Sequence, residues 1–72
     1  MPKLETALER ISKENPFVFN FFKNKLGRDD PDFFDNLAMF YGMAGISLSE
    51  YMDILKEEHR RFVYERNGMD LS

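Results

Sequence analysis

The placement of proline and glycine limits this chain more than any other feature. Asn15-Pro16 and Asp30-Pro31 each put a side-chain acceptor directly before a proline, and Gly45-Ile46-Ser47 supplies a third break. Proline lacks an N–H that the first helical residue cannot use, and it pushes the preceding residue towards the extended geometry of an N-cap. Both pairs therefore read as helix starts, with Gly27 as the stop between them. Ser47 and Glu50 have capping-box spacing, and Ile46 and Tyr51 stand at the positions of a hydrophobic staple. Gly68 reads as a left-handed closing cap, with Met69 able to fold back on Tyr64.

Between these breaks the apolar residues recur at helical spacing. Leu4, Ala7, Leu8 and Ile11 follow the i, i+3, i+4, i+7 pattern of a one-faced helix, and no segment alternates polar and apolar residues over a strand's length. The expected fold is all-α, a compact array of four short helices over about 3–14, 16–26, 31–44 and 48–67. It forms a single domain spanning 1–72.

A chain of 72 residues is too small for a comfortable core, since a domain of that size buries only about 60% of its unfolded surface. Small domains add disulfides, a metal or a partner. The absence of cysteine removes disulfides and thiolate sites, and the single His59 cannot make an imidazole cluster within one chain. Association is what remains. The composition, 43% hydrophobic and 15% aromatic, is that of a folded chain. A net charge of −3 gives no general attraction to nucleic acid or anionic lipid. No apolar run is long enough to span a membrane, and Met1–Arg10 lacks the apolar stretch of a secretion signal. A cytoplasmic location is expected.

Helical wheels then locate a surplus. In the last helix Leu48, Tyr51, Met52, Leu55, His59, Phe62 and Val63 fall within an arc of about 120°, which one neighbour or bundle core can cover. In the second helix Phe17, Val18, Phe19, Phe21, Phe22 and Leu26 span roughly 200°. The third helix has a main stripe of Phe33, Phe34, Leu37, Ala38, Phe40, Tyr41 and Ala44, while Met39 and Met43 point nearly the other way beside Gly42. Phenylalanine and methionine are enriched at interfaces. Phe17, Phe19, Phe21, Met39 and Met43 are therefore the expected partner-binding residues. The partner is another protein or a second copy of the chain.

Other motifs carry less. His59 has no carboxylate or nucleophile on its own face, because Glu58 is about 100° away round the helix. Arg28–Asp35 concentrates four carboxylates, but counted as a calcium loop it puts Phe34 on a ligand position and Asp35 where glycine is required. Lys23–Arg28 is basic, yet it sits where cations complement a helix C-terminus. Lys56–Arg61 reads as a solvated face with Glu57 one turn before Arg61. No catalytic residue, cofactor or metal site is expected. The function class is a small non-enzymatic adaptor, inhibitor or assembly factor. The alternative is a helix-turn-helix-like nucleic-acid-binding regulator using residues 40–60, although its second helix offers phosphates Ser49, Glu50, Asp53 and Glu57 with no lysine or arginine in its first two turns.

Overall fold

The computed structural model describes residues 2–27 and 29–66, with side chains described through Tyr64. Among these residues the chain forms four α-helices and no strand: α1 Lys3–Glu14, α2 Pro16–Phe22, α3 Phe33–Ala44 and α4 Leu48–Arg66. None of them is long and apolar enough to cross a membrane. The proposed Gly68 cap and its Met69 contact lie outside the described residues.

One residue joins the first two helices. Asn15 donates its N–H to the Ile11 carbonyl at 2.8 Å, closing α1, while its side-chain oxygen accepts from the Val18 N–H at 3.3 Å, opening α2. A single polar side chain with an extended backbone (φ −148°, ψ 76°) thus makes a sharp corner. The end of α2 differs from expectation. It stops at Phe22 rather than near residue 26, because the chain tightens into a turn in which the Lys25 N–H meets the Phe22 carbonyl at 2.9 Å. The Asn36 amide of α3 then captures the Lys25 carbonyl at 2.9 Å. Gly27 is therefore a loop residue beyond the helix, and the stop is made by that turn and a tertiary hydrogen bond.

The start of α3 also shifts, from 31 to Phe33. Asp30 does not cap the helix; its side chain accepts from the Asp32 N–H at 2.9 Å, and its carbonyl accepts from the Phe33 N–H at 3.0 Å. The Asp-Pro pair makes a turn of its own before the helix begins. At the other end Gly45 takes a left-handed φ of 70° and its N–H reaches the Tyr41 carbonyl at 3.2 Å, a geometry that favours glycine. Ser47 caps α4 through its hydroxyl, which accepts from the Glu50 N–H at 3.1 Å. The reciprocal half of the capping box is replaced: the Glu50 carboxylate receives the Arg10 guanidinium of α1 in two bonds of 2.9 and 2.8 Å.

That replacement orients α4. A second α1 contact, the Lys3 N–H to Glu57 Oε1 at 2.7 Å, lies two turns away on each helix, so α1 and α4 run antiparallel with their polar edges in register. Between these contacts Ala7 of α1 and Ile54 of α4 are fully enclosed. The core consists of Leu4, Ala7 and Ile11, then Val18 and Phe22, then Phe33, Leu37 and Phe40, with Ile46 and Ile54. Phe22 meets Phe40 edge-on at 5.4 Å, joining α2 to α3. Tyr41 stacks on Tyr51 at 4.4 Å, and Phe33 and Phe34 meet Phe62 at 5.5 and 5.3 Å, joining α3 to α4.

The apolar arc expected for α4 is therefore not its inner face. Tyr51, Leu55 and Phe62 are half-buried, but the innermost positions are Ile54 and Glu58, a rotation of roughly 100° on the wheel. The cause is electrostatic. Satisfying Arg10 with Glu50 and the α1 terminus with Glu57 turns the acidic edge of α4 inwards, and Glu58 follows, with Arg61 Nη1 3.6 Å from its Oε2. The expected Glu57–Arg61 pairing gives way to these partners.

Arg10 holds Glu50 below the ordinary glutamate value of 4.5, through the hydrogen bonds first and then its charge. A lowered folded-state pKa contributes stability that is complete above the ordinary value and is lost as pH falls through the lowered one. Glu50→Gln and Arg10→Ala should each cost about 1 kcal/mol at neutral pH, since the pair is bidentate but only part-buried. In urea unfolding, the gap between wild type and Glu50→Gln should narrow as pH drops from about 5 to about 3.

Candidate interaction surface

The five side chains singled out on α2 and α3 do not share one environment. Phe17 is 75% exposed, while Phe21, Met39 and Met43 are each between 42% and 47% exposed. Phe19 instead lies half-buried against the core cluster. Helical geometry explains the division: Phe17 and Phe21 are one turn apart on one flank of α2, whereas Phe19 lies on the other flank, beyond the inward Val18 and Phe22. The wide arc of α2 is thus used on one side and left open on the other.

Phe21 is held rather than loose. Its ring meets Phe22 edge-on at 4.9 Å, and Lys25 Nζ sits 4.8 Å from its centroid. The basic group after α2 thereby contributes a cation over an aromatic face. Met39 and Met43 lie one turn apart on one side of Phe40, the α3 residue that meets Phe22 of α2. Between them Gly42 has nothing within 4 Å of the place its Cβ would occupy. Among the described residues no helix uses the close approach that Gly42 permits.

A second exposed set was not anticipated. Leu48, Met52 and Val63 on α4 are between 42% and 61% exposed, and His59 is exposed as well. They were expected to face inwards, and the Arg10–Glu50 pair leaves them out. The sequence does hold the relevant residues, but nothing in periodicity says that a carboxylate of a capping box will be taken by an arginine forty positions away.

The remaining chemistry is modest. His59 is exposed and stacks on Phe34 at 4.7 Å with the rings nearly parallel. Beside it an open cleft of about 410 Å³ is lined by Asp29, Asp30, Pro31, Phe34, Phe62 and Val63 among others. Asp30 spends one oxygen on the Asp32 N–H. Among the described residues no group of three or more His, Asp or Glu could hold a metal ion. In the first two turns of α4, Ser49 and Asp53 face solvent and Glu50 is engaged with Arg10, so that surface presents a polyanion with acid rather than base. No family model, curated protein or solved structure matches the chain.

Two outcomes check this division between core and surface. Gly42→Ala should raise the stability of the isolated chain by about 0.5–1 kcal/mol, because alanine lowers the unfolded chain's entropy at an open helical site. Phe22→Ala, by contrast, removes a fully buried ring and should cost about 3–5 kcal/mol, seen as loss of the cooperative thermal transition by circular dichroism.

Proposed function

We propose that the protein acts by binding another protein, as a small adaptor, inhibitor or assembly factor, through the outer flanks of α2 and α3. The observation that carries this reading is the exposure of Phe17, Phe21, Met39 and Met43 on a chain of 72 residues. Singly exposed apolar residues are ordinary, whereas a contiguous patch on so small a surface marks an interaction site. Helical spacing groups these side chains into two pairs, Phe17 with Phe21 on α2 and Met39 with Met43 on α3, each one turn apart, and Phe22 against Phe40 holds the two helices together.

Magnitudes define the kind of interface. Fully burying such a side chain is worth about 1.5–3 kcal/mol, and four that are about half covered offer roughly 3–6 kcal/mol together. Association costs about 4–15 kcal/mol in lost rigid-body freedom. The patch therefore serves as the anchor of a larger contact, not the whole of it. Lys25 over Phe21, and Asp35 one turn before Met39, supply charge of both signs at its edge to set orientation. Methionine suits such a site because its thioether stem repacks against differing shapes. Phe19, packed on the core, supports the patch from within instead of meeting the partner directly.

This is a binding role rather than a catalytic one, with the one imidazole engaged on Phe34. The cytoplasm is the compartment we assign, since a cysteine-free chain needs no oxidising surroundings. Affinity capture with the wild-type protein and with a Phe17→Ser/Phe21→Ser/Met39→Gln/Met43→Gln variant tests the reading. The variant should keep its helical circular dichroism and lose specific partners that the wild type retains. Recovery of the same partners by both, or unfolding of the variant, rules the patch out as a binding site.

A further inference from the structure

The rotation of α4 leaves Leu48, Met52, His59 and Val63 on its outer side, and their order has a consequence. The steps between them are four, seven and four residues, so the stripe reads the same in both directions. A surface that pairs with its own copy about a two-fold axis must be self-complementary, each residue meeting the counterpart that meets it in return. An antiparallel pairing of two α4 helices, centred between Leu55 and Lys56, places Leu48 against Val63 and Met52 against His59, twice over.

The charges beside the stripe obey the same symmetry. Asp53 and Arg60 are exposed on one flank, acid in the first half of the helix and base in the second. In an antiparallel pair each Asp53 comes between Lys56 and Arg60 of the copy. A parallel pairing would put the two Asp53/Arg60 flanks on opposite sides of the seam, where Asp53 finds no Arg60 of the copy. Lys56, close to the axis, interrupts the apolar seam, but its long stem can lie along it while the amine reaches the opposing carboxylate.

From the palindromic stripe and this charge polarity we infer that the outer face of α4 is a self-association surface whose occupant is α4 of a second copy, antiparallel about a two-fold axis. This face is separate from the α2/α3 patch and does not rest on that patch's role. One helix of 19 residues gives a contact about 28 Å long, small against the roughly 1,200–2,000 Å² of a stable complex. The dimer should accordingly be weak and concentration-dependent.

Sedimentation equilibrium of the full chain over a concentration series provides the test. Wild type should pass from one chain mass to two as concentration rises. Met52→Glu should remain at one chain mass over the same range, with unchanged circular dichroism, since Met52 lies outside the core. Asp53→Arg should weaken association roughly tenfold or more by setting like charges together, and the exchange Asp53→Arg/Arg60→Asp should recover most of it. That recovery requires antiparallel self-pairing and has no counterpart in a general loss of stickiness. The inference is overturned if wild type stays monomeric at the highest concentration, if Met52→Glu still dimerises, or if the exchange is no better than the single change. A dimer abolished only by the Phe17/Phe21 substitutions would assign self-association to the other face.

Discussion

The contact on which this architecture turns is polar. Arg10 and Glu50 make a bidentate pair between the first and last helices, and the Lys3 N–H to Glu57 bond repeats the attachment two turns away. Two such points fix the rotation of α4 about its own axis as well as its direction. Apolar packing alone does not do so, because α4 carries enough apolar residues to present either of two neighbouring faces. Hydrophobic contacts are non-directional; a bidentate pair is directional, since its geometry fails within a few tenths of an ångström.

Much of the remaining organisation follows from that choice. With the acidic edge turned in, Ile54 and Ala7 are both enclosed in the core and Glu58 is taken from water beside Arg61. A buried carboxylate is costly to desolvate and is tolerated where charged partners meet it. The aromatic rings of α3 then reach α4 at Tyr51, His59 and Phe62. The apolar residues displaced from the core become the outer stripe of α4, so one ion pair both joins α1 to α4 and leaves Leu48, Met52 and Val63 exposed.

The open flanks of α2 and α3 have another origin, in length. With seven residues, α2 has two turns and can show one full side to the core. Val18 and Phe22 fill that side and Phe19 adjoins it, leaving Phe17 exposed and Phe21 only partly covered, by Phe22 and Lys25. Met39 and Met43 are exposed on α3 as well, and among the described residues nothing lies within 4 Å of the Gly42 Cβ position. A chain of 72 residues has too few elements to cover this many aromatic and thioether groups.

Local chemistry was legible in the residues themselves. The Asn15 cap with Pro16, the left-handed Gly45 and the Ser47 cap set three breaks, and helical periodicity set the all-α class, because these depend on groups a few positions apart. The exposure of Phe17, Met39 and Met43 also follows from counting apolar arc against available neighbours. Tertiary structure decided what needed partners distant in sequence: the early end of α2, where Asn36 takes the Lys25 carbonyl, and the turn of α4, where Arg10 takes the Glu50 carboxylate away from its cap. A wheel ranks residues by polarity and assumes that the oiliest arc is buried. An ion pair formed across the fold is invisible to it, and here that pair outweighed the difference between two apolar faces of similar merit.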